Sequence, residues 1–234
     1  MKLRRADLAS KLLTLLQNSV FIFIKDVRLE FRTRYAVNAM ILFAITTLTA
    51  ISFSLGPVRL DPNLVSSLLW ILLFFSSMSS LSHIFVREEE QQTSDTLRLI
   101  SGPIPIFLGK WLFNVVLILC LEIIIVPLFF ILLNASVQGM SIFIVVLILG
   151  SIGLATVSTV IAAIISQASV KGALFAVLAF PISLPILISS INGTRLSIEG
   201  NNFSESMDYI QALFSFLVVI FTVSLLVFEF IWKK

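Results

Sequence analysis

The stretch FLGKWLFNVVLILCLEIIIVPLFFILL, residues 107–133, carries only two charged side chains, Lys110 and Glu122. Crossing the roughly 30 Å hydrocarbon core of a bilayer takes about 20 mostly apolar residues in a helix. This run meets that length with residues to spare, so it reads as a transmembrane span. Working outward, five more runs qualify: residues 35–55, 64–86, 141–166, 172–191 and 209–232. Turn formers separate them: Gly56-Pro57 with Asp61-Pro62-Asn63, Gly102-Pro103, Asn134 with Gly139, and Asn192-Gly193. The 234-residue chain is 58% hydrophobic and 12% charged, where a soluble domain carries about 25% charged residues. In lipid a lone segment must satisfy its own backbone hydrogen bonds, so the spans are helices. The expected fold is all-α: a polytopic membrane protein with six transmembrane helices. The first span starts too late, and lacks the small-residue cleavage site, for a removable signal peptide. The single cysteine, Cys120, lies in an apolar run and supports neither an internal disulfide nor a thiolate metal site.

The basic residues orient this bundle. Fourteen of the sixteen lysines and arginines fall on one side: eight before the first span, Arg87, Arg98 and Lys110 around the second loop, Lys171, and Lys233 with Lys234. Only Arg59 and Arg195 fall on the other. Lysine and arginine collect in cytoplasmic loops, which predicts both termini in the cytoplasm. The net charge of +3 is then topology rather than a nucleic-acid footprint.

Residues 1–34 form more than a tail. Leu8, Leu12, Leu15, Leu16 and Ser19 follow helical spacing, and residues 20–24 are an apolar run too short to span. The following KDVRLEFRTRY, residues 25–35, sets Lys25, Asp26, Arg28, Glu30, Arg32 and Arg34 around Val27, Leu29 and Phe31. This predicts an amphipathic helix in the cytoplasmic interface, its basic residues near anionic headgroups.

The densest acidic cluster, REEEQQTSDTLRLISGP, residues 87–103, joins the second and third spans. Acids contribute little to topology, so insertion does not explain Glu88, Glu89 and Glu90. Thr93, Ser94 and Asp95 are all N-cap types, and a turn or two of helix would run to Gly102-Pro103. On such a helix Leu97 and Ile100 share a face and Asp95 pairs with Arg98. From the residues alone this is either a docking element or an ordinary solvated loop.

KDVRLEFRTRY, then LFFSSMSSLSHIFVREEEQQTSDTLRLISGPIPIFLGKWLFN (residues 73–114), then LEIIIVPLFFILLN (residues 121–134), resemble the haem exporter protein B family, CcmB. That family is the permease subunit of the cytochrome c maturation ABC transporter. The resemblance runs over most of residues 25–134; beyond it, span count and spacing agree. It implies a permease domain over residues 35–232, after an interfacial helix at 1–34, with a cytoplasmic coupling loop at 87–106. Arg87, Glu88, Glu89, Glu90, Asp95, Leu97 and Arg98 would meet a separate ABC ATPase subunit (CcmA-like). Haem-handling membrane subunits (CcmC-like and CcmD-like), a haem chaperone at one remove and membrane lipid are the other implied partners, in a bacterial inner membrane. ATP would be bound by the partner, with haem as substrate and no cofactor held by this chain.

Inside the membrane Glu122 is the one deep acid, and such residues face the bundle interior or water. It either lines a substrate path, pairs with a partner's basic group, or is protonated and hydrogen-bonded between helices. Pro127 predicts a kink nearby. GSIGLATVSTVIAAIIS, residues 150–166, has the small residues of close helix packing. Trp70, Trp111 and Trp232 read as interface anchors, and the lone His83 as a snorkelling or capping group rather than a haem ligand. Glu229 and Lys233 are spaced for an i, i+4 pair. There is no G-x-x-x-x-G-K-[ST] phosphate loop and no H-E-x-x-H, and Gly150-Ser151-Ile152-Gly153 has no histidine partner. The expectation is a transport subunit, not an enzyme. A non-transporting scaffold of the maturation complex, or the permease of an unrelated ABC exporter, are the alternative readings.

Overall fold

Apolar runs fold as helices throughout the computed structural model, which describes residues 2–56, 60–81, 83–166, 172–201 and 203–232. Side chains of residues 2–10, 79–80, 83, 86, 95 and 172–176 lie outside that description, as do Lys171, Lys233 and Lys234. The helices are α1 (Lys2–Thr33), α2 (Tyr35–Leu55), α3 (Pro62–Leu81), α4 (His83–Glu90), α5 (Ser94–Ile100), α6 (Pro103–Leu132), α7 (Met140–Ser166), α8 (Gly172–Glu199) and α9 (Phe203–Trp232). Among the described residues there is no strand. Among the described residues five helices are long and apolar enough to cross a membrane, namely α2, α6, α7, α8 from Val177 onward, and α9; α3 supplies a shorter apolar helix, Pro62–Met78. The chain is an all-α, multi-pass membrane protein.

The core centres on α7, which packs against α3, α4, α6, α8 and α9. Its small residues permit this. A Cβ on Gly150 would stand 2.2 Å from the Trp70 ring, and one on Gly153 would stand 2.9 Å from Ile186. Trp70 is wholly buried and its indole donates to Thr194 Oγ1 at 2.9 Å. It therefore holds α3 to α8 inside the bundle and is no interface anchor, because Gly150 leaves room for the indole there. Trp232 is buried as well, stacked on Phe228.

The expected turn at Asn192-Gly193 is absent, since α8 continues to Glu199. Asn192 Nδ2 donates to the Ile188 carbonyl at 2.8 Å, and Gly193 lies where a Cβ would be 2.8 Å from Val146. This glycine serves close packing on α7. The helix instead ends at Gly200, with φ +78°, where the Asn201 amide reaches back to the Leu196 carbonyl at 3.1 Å. Arg195 consequently sits on α8, 3.5 Å from Glu199. α6 runs as an α-helix through Pro127.

Between α1 and α2 the chain turns at Arg34, in left-handed backbone at φ 51°. That conformation costs a non-glycine residue about 1–2 kcal/mol. The Glu30 carboxylate helps hold it by accepting the Val37 amide at 2.9 Å, at the free N-terminus of α2. α1 packs along α6, and Phe85 of α4 joins Phe228 and Trp232 at the end of α9. These contacts gather α1, the acid-rich segment, the start of α6 and the end of α9 at one end of the bundle.

Candidate functional site

A fully buried lysine occupies that end. Lys110 lies in the second turn of α6, just after Gly109, where a Cβ would stand 2.7 Å from the Ser19 carbonyl and 2.8 Å from Ile22. The glycine lets α1 cross α6 at near contact, and two turns later along α1 Asp26 comes beside the lysine. Lys110 Nζ lies 3.3 Å from Asp26 Oδ2 and 3.0 Å from Glu88 Oε1, and donates to the Ile84 carbonyl at 3.2 Å. The ammonium also sits 5.2 Å from the centre of the Phe85 ring. Lys25, half-buried, pairs with Asp26 at 3.3 Å and with Glu88. Two cations thus meet two anions, tying α1, α4 and α6 together at a single point.

Such a cluster is stable only when its charges and hydrogen bonds are matched, because each buried ion costs several kcal/mol to desolvate. Here they are matched. Burial alone would raise the Glu88 carboxyl, but Lys110, Lys25 and the Thr93 hydroxyl hold it down, from 4.5 to about 2. Burial pulls the Lys25 ammonium down, and Asp26 and Glu88 outweigh it, so its pKa is raised. Thr93 Oγ1 donates to Glu88 Oε2 at 2.5 Å, so the hydroxyl at the N-cap of α5 makes no capping bond and instead ties α5 to α4.

The acid-rich stretch therefore divides. Glu88 turns inward at 6% exposure and is no part of an outer surface, contrary to its expected place in a row with Glu89 and Glu90. Glu89 is half-buried, 4.0 Å from Arg98, and Glu90 is exposed. Arg98 stacks over Trp232 at 5.0 Å, fixing α5 to the end of α9. Arg87 Nη1 lies 3.5 Å from Thr33 Oγ1. The outward apolar pair on α5 is Leu99 and Ile100, 89% and 75% exposed, while Leu97 packs half-buried against the core. The expected outer face of Leu97 with Ile100 is thus rotated, because Thr93 and Arg98 anchor the helix to α4 and α9. The side chains of Asp95 and His83 lie outside the described residues, and so does the Lys233 end of the expected pair with Glu229.

On α1, Lys25 and Asp26 belong to the cluster and Glu30 caps α2, whereas Arg28, Arg32 and Arg34 are exposed. Lys110 itself was legible only as a topological charge. Its signal was a lone lysine beside a glycine in an otherwise apolar helix.

Deeper in the bundle a polar seam joins α6 to α7. Trp111 Nε1 donates to Thr156 Oγ1 at 2.9 Å, Asn114 Nδ2 to Thr159 Oγ1 at 2.8 Å, and the Ser151 hydroxyl to the Glu122 carboxylate. Glu122 is 4% exposed. Among the described residues no three His, Cys, Asp or Glu side chains come together as metal ligands.

Comparison with known proteins matches residues 17–232 to the family model described as CcmB protein. Among curated proteins, heme exporter protein B of Bradyrhizobium diazoefficiens is 25% identical over 182 residues, covering 75% of this chain and 80% of that protein.

Proposed function

The chain belongs to the CcmB protein family, and on that premise we propose that it is the membrane permease subunit of an ABC transporter complex for haem export in cytochrome c maturation. ATP is bound and hydrolysed by a separate CcmA-like subunit, and this chain performs no hydrolysis. CcmC-like and CcmD-like membrane subunits complete the assembly, which releases haem or a haem-loaded chaperone on the periplasmic side. The basic end of the bundle faces the cytoplasm of a bacterial inner membrane, an orientation that the one-sided placement of lysine and arginine supports.

The observation that carries this reading is the clamp at Lys110. The ATPase would dock on Leu99, Ile100 and Glu90. Their segment is bolted to α6 through Glu88 and Lys110, to α1 through Asp26 and Lys25, and to α9 through Arg98. A displacement of α5 by a docked partner then moves helices that run the length of the bundle, the kind of rigid coupling a two-state transport cycle needs.

Deleting the gene tests the assignment. Covalent haem should disappear from c-type cytochromes while b-type haem proteins stay normal, and the full-length chain should restore it. Normal c-type cytochromes in the deletion strain would overturn the reading. The purified chain should capture its ATPase and show no hydrolysis alone.

A further inference from the structure

A concavity of about 680 Å³ lies between α1 and the α4–α5 segment. Phe21, Ile24, Arg28 and Arg32 line it from α1, and Ile100 from α5. Among the described residues the only carboxylate on its wall, Glu88, is engaged by Lys25, Lys110 and Thr93. Arg28 and Arg32 are exposed, and among the described residues neither has a carboxylate partner. Along α1 the groove is thus cationic at one end, at Arg28 and Arg32, and apolar at the other, where Phe21 is 70% exposed.

The spacing matches an amphiphile. Arg28 and Arg32 stand one turn apart on one helix face, about 6 Å between their Cβ atoms, so both guanidiniums reach one phosphate. From Arg32 back to Phe21 α1 runs roughly 16 Å, the scale of a headgroup plus part of an acyl chain. We propose that this groove is a binding site for an anionic phospholipid. Arg28 and Arg32 hold the phosphate, and Phe21 and Ile24 hold the chains. A protein occupant would need acids and an apolar ridge in that same register. A phospholipid brings both in one molecule and is already present at the membrane surface. The inference rests on α1 lying at that surface, and not on the cargo or the ATPase.

Retained lipid is the measurement. The full chain is reconstituted into vesicles of equal phosphatidylcholine and phosphatidylglycerol, re-extracted in mild detergent, and its bound lipid read by native mass spectrometry. Two arginines near an anionic headgroup are worth about thirty-fold, so phosphatidylglycerol should dominate the retained lipid. The double variant Arg28→Gln/Arg32→Gln should lose that preference at an unchanged melting temperature, since both side chains are exposed and neither has a carboxylate partner among the described residues. Ile24→Asn should lower the total lipid retained. Equal retention of the two lipids by the parent, or an undiminished preference in the double variant, would overturn the proposal. So would complete displacement by soluble glycerol phosphate, which would make this a site for free phosphate. Shielding of both arginines by the purified ATPase and not by phosphatidylglycerol would assign the groove to a protein and equally overturn it.

Discussion

Replacing Lys110 by methionine keeps the length and apolar stem of the side chain and removes only its ammonium. The buried cluster then changes from neutral to one net negative charge, with Lys25 alone facing Asp26 and Glu88. Breaking a buried ion pair by removing one partner typically costs about 3–5 kcal/mol, because the remaining charge is left uncompensated. Glu88 gives an independent scale. Its descent from 4.5 to about 2, against the opposing effect of burial, corresponds to about 3 kcal/mol shared among Lys110, Lys25 and Thr93. For a chain of this size such a loss lowers the melting temperature by on the order of 10 °C. The sign of the pH dependence follows from the depressed carboxyl. Its contribution is complete above pH 4.5 and is lost as pH falls toward about 2, so the gap between parent and variant narrows over that window. Fluorescence-monitored melting of detergent-solubilised protein, from pH 7 down to pH 3, reads both effects. Adding Asp26→Asn to Lys110→Met restores neutrality and should recover a large part of the loss, giving a favourable coupling in the double-mutant cycle. A variant melting within about 2 °C of the parent at pH 7, with no recovery in the double variant, would refute the clamp.

Leu99→Asp should melt within about 0.5 kcal/mol of the parent, because Leu99 is 89% exposed, yet weaken ATPase capture tenfold or more. Glu90→Lys should act in the same direction, whereas Glu88→Lys should fail by destabilising the fold, so separating the two glutamates by melting and pull-down tests the division of the acidic stretch. Gly150→Ala places a methyl 2.2 Å from the Trp70 ring and should cost about 1–3 kcal/mol by overpacking, seen as a lowered melting temperature. With Cys120 replaced by serine, single cysteines at Asn63 and Asn134 should react with an impermeant thiol reagent from the periplasmic side. One at Thr96 should not, and the reverse pattern would invert the proposed orientation.

What the amino-acid sequence determined by itself was the solvent. Runs such as residues 107–133 leave a helix in lipid as the one way to satisfy their backbone, and this holds whatever packs against them. The helix at α1 was legible for the same reason, since it depends on local composition. The division of labour among the charges was not. Glu88, Glu89 and Glu90 are identical in the sequence, and helical rotation turns Glu88 onto Lys110 while leaving Glu90 exposed. Gly193 looked like a turn because a glycine after an asparagine breaks helices locally, but the fit against Val146 uses that same missing side chain for packing. Leu99 replaced Leu97 on the outer face because Thr93 and Arg98 fix the rotation of α5 through partners on α4 and α9. Lys110 could be counted as a topological charge from its position, yet its burial needs Gly109 to admit α1 and needs Asp26 and Glu88 to arrive from residues far away in the chain. A buried charge is tolerable only when its partners are present at once, and only the tertiary structure brings them together.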